Sequence, residues 1–221
     1  MRLEPAVAAQ LRRLAATLDQ LDVAAYRACG RDPLQPIIGL GPAGAALCVM
    51  GRDPGRDEVR LARPFVGEAG QLLRAGLHSY RHPGVPYTFE AGLAAGADLF
   101  WMNTVPYKPV GNKAWSAGVR ALFQPCMARV LSRWRGADVL TLGNEAFTWF
   151  GIDQDKQSRD ELRAFWDSGD ARYERSLAIR LDLAGAARSL RLHPLPHPSR
   201  ANAVWCARFP ELLQQRLERL L

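Results

Sequence analysis

Four short apolar runs divide the chain, and helical patterns fill the segments between them. The runs cover residues 46–50, 99–103, 138–142 and 190–195. Each is continuous, as is typical of a strand that is covered on both faces. The helical patterns cover residues 67–80, 116–134 and 144–150. Strands that alternate with helices predict an α/β fold, here a three-layer sandwich with a central, mainly parallel four-stranded sheet flanked by helices.

Three further segments have weaker patterns. Apolar and polar residues alternate over residues 176–183, and with a turn at 184–187 this segment can add an antiparallel strand beside the last one. Leucines spaced among charges in residues 1–21 indicate an amphipathic helix. Residues 153–175 are highly charged, and they fit either a mobile insertion or an ordered loop with a helix around residues 162–166.

The length and composition narrow the class of protein. A chain of 221 residues suits one domain, and we assign residues 1–221 to it, with residues 1–38 as an N-terminal helical extension. The 29 Lys and Arg residues exceed the 22 Asp and Glu residues, which gives a net charge of +7. Such an excess favours a surface that binds a polyanion, although a merely basic protein is the alternative.

The location of the protein follows from what the sequence lacks. No apolar run reaches the ~18 residues of a membrane span, and the N-terminus has no signal-peptide pattern. We therefore expect a cytoplasmic protein that makes no membrane contact. No feature of the sequence indicates an oligomer, so we expect a monomer.

The four cysteines are too scattered to indicate a zinc site or a disulfide framework. They are Cys29, Cys48, Cys126 and Cys206, and no two form a C-x-x-C pair. Cys48 lies inside an apolar run, so the simplest interpretation makes it a core residue.

Distinctive polar residues follow the predicted strands. Asp53 follows the first run, Asn103 ends the second, Asn144 follows the third and His197 follows the fourth. Open α/β sheets bind their ligands at the carboxyl ends of the strands, so the sequence predicts a site there. Each residue alone also has a simpler explanation. Asp53 fits a turn, Asn103 a strand-end cap and His197 a structural histidine, while Phe65 fits the core.

Five segments together resemble the uracil-DNA glycosylase superfamily, and most closely its iron–sulfur branch, family 4. In chain order they read GRDPG at 51–55, RPFVGEAGQLL at 63–73, NTV and KPVGNK between 103 and 113, LGNEA at 142–146 and HPS at 197–199. The resemblance runs from about residue 39 to the C-terminus, and the order and spacing of the segments agree with it.

The resemblance implies a DNA glycosylase that removes uracil from a flipped-out nucleotide. It places Asp53 beneath the sugar, where a carboxylate stabilises positive charge and orients water. His197 would donate a hydrogen bond to uracil O2, and Asn103 would read the O4 and N3–H edge. Phe65 would stack on the base. Two more residues would line the base site, Gly51 by allowing close approach and Arg52 by its charge.

The resemblance also implies contacts with DNA that contains uracil or another damaged base. Ser199 and the Pro54-Gly55 turn would bind phosphates through hydroxyl and backbone N–H groups. Arg200 stands where the superfamily inserts a wedge into the duplex. Lys108 and Lys113 would bind the DNA backbone, although either also fits a solvated surface charge.

The chain departs from the family pattern at two places. Only Cys29 and Cys126 fall near the cluster-cysteine positions of the iron–sulfur branch, so we expect no iron–sulfur cluster, no other cofactor and no metal. Arg52 replaces the usual Glu of that branch, and Gly55 cannot reject a thymine methyl as the Tyr of the main branch does. The preferred base therefore stays open.

Two alternatives to an active glycosylase remain at this point. One is a catalytically silent DNA-binding member of the same fold, which Arg52 and the lack of a large apolar wedge favour. The other is an α/β protein unrelated to repair that binds a small ligand or a nucleotide.

Overall fold

A computed structural model describes residues 1–199 and 203–221, and its centre is a twisted sheet. Its strands, in chain order, are β1 (Leu47–Gly51), β2 (Phe100–Asn103), β3 (Asp138–Leu142), β4 (Leu177–Leu183) and β5 (Ala186–Leu195). The spatial order is β2-β1-β3-β5-β4. Strands β2, β1, β3 and β5 run parallel, whereas β4 pairs antiparallel with β5.

The predicted α/β class is confirmed, but the strand count is five rather than four. The fifth strand is the alternating segment, which forms a hairpin with β5. Leu183 pairs with Ala186, so the turn is the two residues Ala184 and Gly185, both with positive φ. This backbone conformation matches the twist of a two-residue hairpin, and it lets β5 begin four residues before the apolar run.

Helices cover both faces of the sheet. They are α1 (Pro5–Ala15), α2 (Val23–Ala28), α3 (Arg56–Leu61), α4 (Glu68–Arg81), α5 (Phe89–Ala95), α6 (Ala117–Ser132), α7 (Asn144–Thr148), α8 (Lys156–Trp166) and α9 (Ala203–Leu220). Short 3₁₀ turns cover Val110–Asn112, Trp149–Gly151 and Gly169–Tyr173. Among the described helices, none has the length and apolar character to cross a membrane.

The side chains of β1 alternate between two hydrophobic clusters, one on each face of the sheet. Cys48 and Met50 belong to the cluster that contains residues of α1 and α6, whereas Leu47 and Val49 belong to the cluster formed with α4 and α9. Side chains alternate across a strand, so a fully apolar strand supplies both clusters at once. This explains why the run lacks alternation.

The N-terminal segment packs on the domain and supports the loop after β2. Val7 and Leu11 of α1 are buried in the core, and Leu21 forms a β-bridge with Pro109. The charged segment 153–175 is ordered, with α8 at its centre. Its Leu162 and Phe165 are buried, so the helix-bearing interpretation is correct.

Candidate functional site

The carboxyl ends of the parallel strands converge on one enclosed cavity, which we call the base pocket. Its volume is about 50 Å³. It opens towards a larger outer groove of about 320 Å³, with which it shares six lining residues. The residues that line the base pocket are Gly51, Arg52, Asp53, Glu58, Phe65, Ala69, Gly70, Asn103, Leu142, His197 and Pro198. All the predicted catalytic and base-binding residues are in this set.

The turn after β1 is held in place by Thr104, which follows β2. The Thr104 backbone N–H lies 2.9 Å from the Gly51 carbonyl oxygen and 3.0 Å from that of Arg52. Its hydroxyl donates a second bond to the Arg52 carbonyl at 2.8 Å. Because β1 and β2 are adjacent parallel strands, these bonds fix Asp53 relative to Asn103.

Glu58 joins the turn after β1 to the loop that carries Phe65. One carboxylate oxygen accepts a hydrogen bond from the Gly55 N–H at 3.0 Å. The other accepts from the N–H groups of Val66 at 3.0 Å and Gly67 at 2.7 Å. Glu58 was not among the residues predicted from the sequence. The spacing Gly55-x-x-Glu58 at the start of α3 is that of a capping box and was the available signal.

Phe65 occupies a constrained backbone position that faces its ring into the base pocket. Its φ is +57°, a left-handed conformation that costs a non-glycine residue about 1–3 kcal/mol. The Arg74 guanidinium donates to its carbonyl at 2.7 Å. The ring lies 5.1 Å from that of Trp101 and so close to Gly51 that a Cβ there would sit 2.7 Å from it. Only glycine at position 51 leaves room for the ring.

Asn103 presents an unused acceptor in the base pocket. The residue is only 4% exposed, and its side-chain oxygen has no hydrogen-bond partner in the described part of the chain. Most buried polar atoms are hydrogen-bonded, so this amide oxygen leaves an acceptor that a ligand in the cavity can use.

Asp53 is a buried carboxyl group with a strongly perturbed pKa. Its side chain is 2% exposed, and within residues 1–199 and 203–221 neither oxygen accepts a hydrogen bond of good geometry. Burial raises the pKa of Asp53 to about 7, because the charged form loses its hydration. Arg52, whose Nε lies 3.4 Å from the carboxylate, opposes this rise, as do the backbone N–H of Trp115 and the charge of Arg120.

His197 follows β5 and is held as a neutral imidazole. Burial, and secondarily the charge of Arg52, lowers the pKa of His197 to about 4. The loop that carries it is fixed beside β3, since the Gly143 N–H donates to the Leu195 carbonyl at 2.9 Å. A histidine that is neutral at pH 7 can donate a hydrogen bond through its N–H while it keeps its proton.

The predicted DNA-binding residues fall into different environments. Pro54, Gly55 and Ser199 line the outer groove, and Lys113 is exposed beside it, next to the lining residue Asn112. Lys108 is not available for DNA.

Lys108 is instead part of the structural core. It is 3% exposed, and its ammonium group donates to Asp22 at 2.7 Å and to the Pro109 carbonyl at 2.9 Å. The prediction for Lys108 is therefore wrong, because the N-terminal extension covers this lysine and supplies its counter-ion. The predicted wedge Arg200 lies outside the described residues.

The cysteines do not assemble a cluster site. Cys48 and Cys126 are buried, Cys29 and Cys206 are half-buried, and all four are free thiols. Burial raises the pKa of the Cys48 thiol, which disfavours the thiolate that a metal needs. Among the described residues, no three His, Cys, Asp or Glu side chains converge as metal ligands.

A comparison with known families gave a match over most of the chain. The family model described as the uracil DNA glycosylase superfamily matches residues 38–221, which include every residue of the base pocket.

Proposed function

The chain belongs to the uracil DNA glycosylase superfamily, and from this premise we propose that it is an active, monofunctional DNA glycosylase that releases uracil or another deaminated base from DNA. Family membership removes the interpretation of an unrelated small-ligand protein. The observation that carries the proposal is the convergence of unsatisfied polar groups on one cavity. Asp53, Asn103 and Arg52 each bury a polar atom without a hydrogen-bond partner among the described residues.

The base pocket supports recognition of a uracil-like edge. The Asn103 amide carries both a donor and an acceptor, which suits the adjacent O4 and N3–H groups of uracil. Phe65 supplies an aromatic face for stacking, worth about 1–3 kcal/mol per base. The enclosed 50 Å³ holds only the innermost part of a nucleotide, and the outer groove takes the sugar and phosphates.

The two titratable residues support the bond cleavage. Cleavage of an N-glycosidic bond creates a cationic sugar and an anionic base. At pH 7 His197 is neutral, so its N–H can stabilise the charge that develops on the base oxygen. About half of the Asp53 carboxyl groups are ionised at that pH, and the carboxylate can stabilise the sugar cation and orient water.

Base release from a uracil-containing oligonucleotide, in single- and double-stranded form, tests the proposal. We expect Asp53→Asn and His197→Gln each to reduce the single-turnover rate by about 10²–10³-fold, the usual effect of removing one transition-state contact. Asp160→Asn is the matched control, because Asp160 is exposed, pairs with Arg163 on the same helix and is not among the residues that line the base pocket or the outer groove. Release that both site variants retain at the parent rate would contradict the assigned roles.

A catalytically silent DNA-binding protein is the second candidate, and the Arg52–Asp53 pair favours it. The Arg52 Nε lies 3.4 Å from the Asp53 carboxylate, and this ion pair competes with a sugar cation for the carboxylate. This candidate predicts salt-dependent DNA binding with no release of uracil or of other deaminated bases.

A further inference from the structure

A second cavity, which we call the flanking pocket, lies next to the base pocket. The two share Arg52 and His197 as lining residues. The flanking pocket has a volume of about 280 Å³, near the lower end of the ~300–1,000 Å³ range of small-ligand sites. The residues that line the flanking pocket but not the base pocket include Asn144, Glu145, Trp166, Arg172, Tyr173 and Trp205.

Aromatic rings and one guanidinium group form a wall of the flanking pocket. The guanidinium carbon of Arg172 lies 4.9 Å from the ring centre of Trp166, 4.5 Å from that of Tyr173 and 5.9 Å from that of Trp205. The Trp205 ring meets the Tyr173 ring edge-on at 4.8 Å. The wall therefore joins α8, the 3₁₀ turn after it and the start of α9.

Hydrogen bonds hold the Arg172 guanidinium in one orientation. One terminal nitrogen donates to the Trp166 carbonyl at 2.9 Å, and the other donates to the Tyr173 hydroxyl at 3.0 Å. Its Nε is buried and has no hydrogen-bond partner in the described part of the chain. The guanidinium and the rings of this wall stack on one another, and the Nε–H of Arg172 can bind a ligand acceptor.

The chemistry of this wall matches a nucleobase. Bases are flat, have acceptors at their edges and stack on aromatic and guanidinium faces regardless of sequence. Asn144 and Glu145 add polar groups that can contact a base edge. Since Arg52 and His197 line both cavities, a ligand in the flanking pocket lies beside the nucleotide in the base pocket.

We propose that the flanking pocket binds the base of the nucleotide adjacent to the excised one. This inference rests on the proposed function. A base that stacks on Trp205 must leave the stack of its own strand, so two consecutive nucleotides are unstacked in the complex. The preferred substrate is therefore single-stranded DNA or a locally melted duplex.

Binding of short single strands tests the proposal. Each strand carries one 2′-fluorinated deoxyuridine, which resists cleavage, and an abasic residue replaces the base on its 5′ or its 3′ side. In the parent protein we expect one of the two replacements to weaken binding by about 5–150-fold, the range of one lost base–aromatic stack. In Trp205→Ala the same replacement should have no further effect, whereas Trp205→Phe should behave as the parent does.

Two controls separate this effect from misfolding and from the loss of any aromatic residue. Arg172→Met removes the guanidinium from the wall while the Trp205 ring stays, and it should reproduce part of the loss. Tyr80→Ala removes a half-buried ring on α4 that is not among the residues lining the pocket, and it should keep the full sensitivity to the abasic residue. Thermal unfolding establishes that each variant is folded.

The outcomes for the two proposals are distinguishable. If neither abasic replacement weakens binding to the parent protein, the flanking pocket does not bind a base. The same conclusion follows if an abasic replacement weakens binding equally in the parent and in Trp205→Ala. Release of uracil from a cleavable strand would then still support the proposed function. Absence of release, with the abasic effect intact in the parent and lost in Trp205→Ala, would contradict the glycosylase activity and leave the flanking pocket as a base site.

Discussion

Replacing Arg52 by methionine removes a positive charge beside the Asp53 carboxylate and should shift the pH dependence of base release. The Arg52 Nε lies 3.4 Å from the carboxylate oxygen, and the side chain of Arg52 is 27% exposed. The charge of Arg52 favours the ionised form of Asp53 and lowers a pKa that burial has raised to about 7. Without Arg52, the pKa of Asp53 must rise further.

The size of the shift follows from the distance. Two unit charges at this separation interact by about 1 kcal/mol in water and about 5 kcal/mol at an effective dielectric constant of 20, which corresponds to about 1–4 pKa units. Measured effects of one nearby opposite charge are about 1–3 units. The ionised fraction of Asp53 at pH 7 should therefore fall from about one half to between about 10% and 0.1%.

The assay is the single-turnover rate of base release between pH 5 and pH 10. Because the reaction needs the carboxylate, the parent rate should rise with pH and level off above about pH 7. In Arg52→Met the rise of the rate should shift to higher pH by about 1–3 pH units. The rate at pH 7 should therefore be about 5–500-fold lower than that of the parent, and it should recover at high pH. His197 is already neutral in this range, since its pKa is about 4, so it does not limit the alkaline side.

Arg52→Lys separates the effect of charge from that of shape. It keeps the positive charge but loses the hydrogen bond that the guanidinium donates to the Asn112 carbonyl at 3.2 Å. The midpoint of its pH–rate profile should be the same as that of the parent protein. If Arg52→Lys and Arg52→Met lost activity equally at every pH, the charge on Arg52 would not control Asp53, and the reasoning would be refuted.

Three further predictions concern the supports of the site. Glu58→Gln exchanges one acceptor oxygen for a donor and orphans at least one backbone N–H, so urea denaturation should show a loss of about 1–3 kcal/mol. Gly51→Ala should lower stability by about 1–3 kcal/mol because its Cβ meets the Phe65 ring, whereas Gly44→Ala, with no atom within 4 Å, should not. Lys108→Met should lower stability by about 1–3 kcal/mol without changing the salt slope of DNA binding, and exposed Lys113→Met should lower that slope by about 1.

The sequence predicted that the candidate site residues lie close together because the strand pattern and the positions of polar residues are local properties. Asp53 and His197 each follow an apolar run within a few residues, and Asn103 ends one. Parallel strands bring their carboxyl ends to one edge whatever the details of packing. Predicting the position of the base pocket therefore required only the correct strand directions. The predicted count of four strands was one short, although the alternation over residues 176–183 and the turn after it indicated the added antiparallel strand that forms β4.

The roles of residues that depend on a partner far away in the chain could not be predicted from the sequence. Lys108 has the type and the position of a DNA-binding cation, but Asp22, 86 residues earlier, covers it with an ion pair. The aromatic wall of the flanking pocket joins Trp166 to Trp205 across three elements, and no spacing in the chain connects them. Such contacts arise from tertiary packing, which periodicity does not encode.

The base pocket carries a cost to stability that a bound base would relieve. Asp53 and Asn103 bury oxygens with no hydrogen-bond partner in residues 1–199 and 203–221, and Phe65 holds a left-handed backbone conformation. Because the pKa of Asp53 is raised from 3.8 to about 7, this group binds its proton more tightly in the folded chain, and its contribution to stability decreases as the pH rises from about 4 to about 7. Strained backbone conformations of this kind cluster at catalytic and ligand-binding sites.

A ligand that satisfies these groups should therefore stabilise the protein. Free uracil at 100 times its dissociation constant should raise the free energy of unfolding by about 2.7 kcal/mol. Asn103→Ala removes the amide that reads the base, so the same uracil concentration should raise its thermal midpoint far less than that of the parent. A parent midpoint that does not move at any uracil concentration, while DNA is still bound, would contradict uracil as the ligand of these groups.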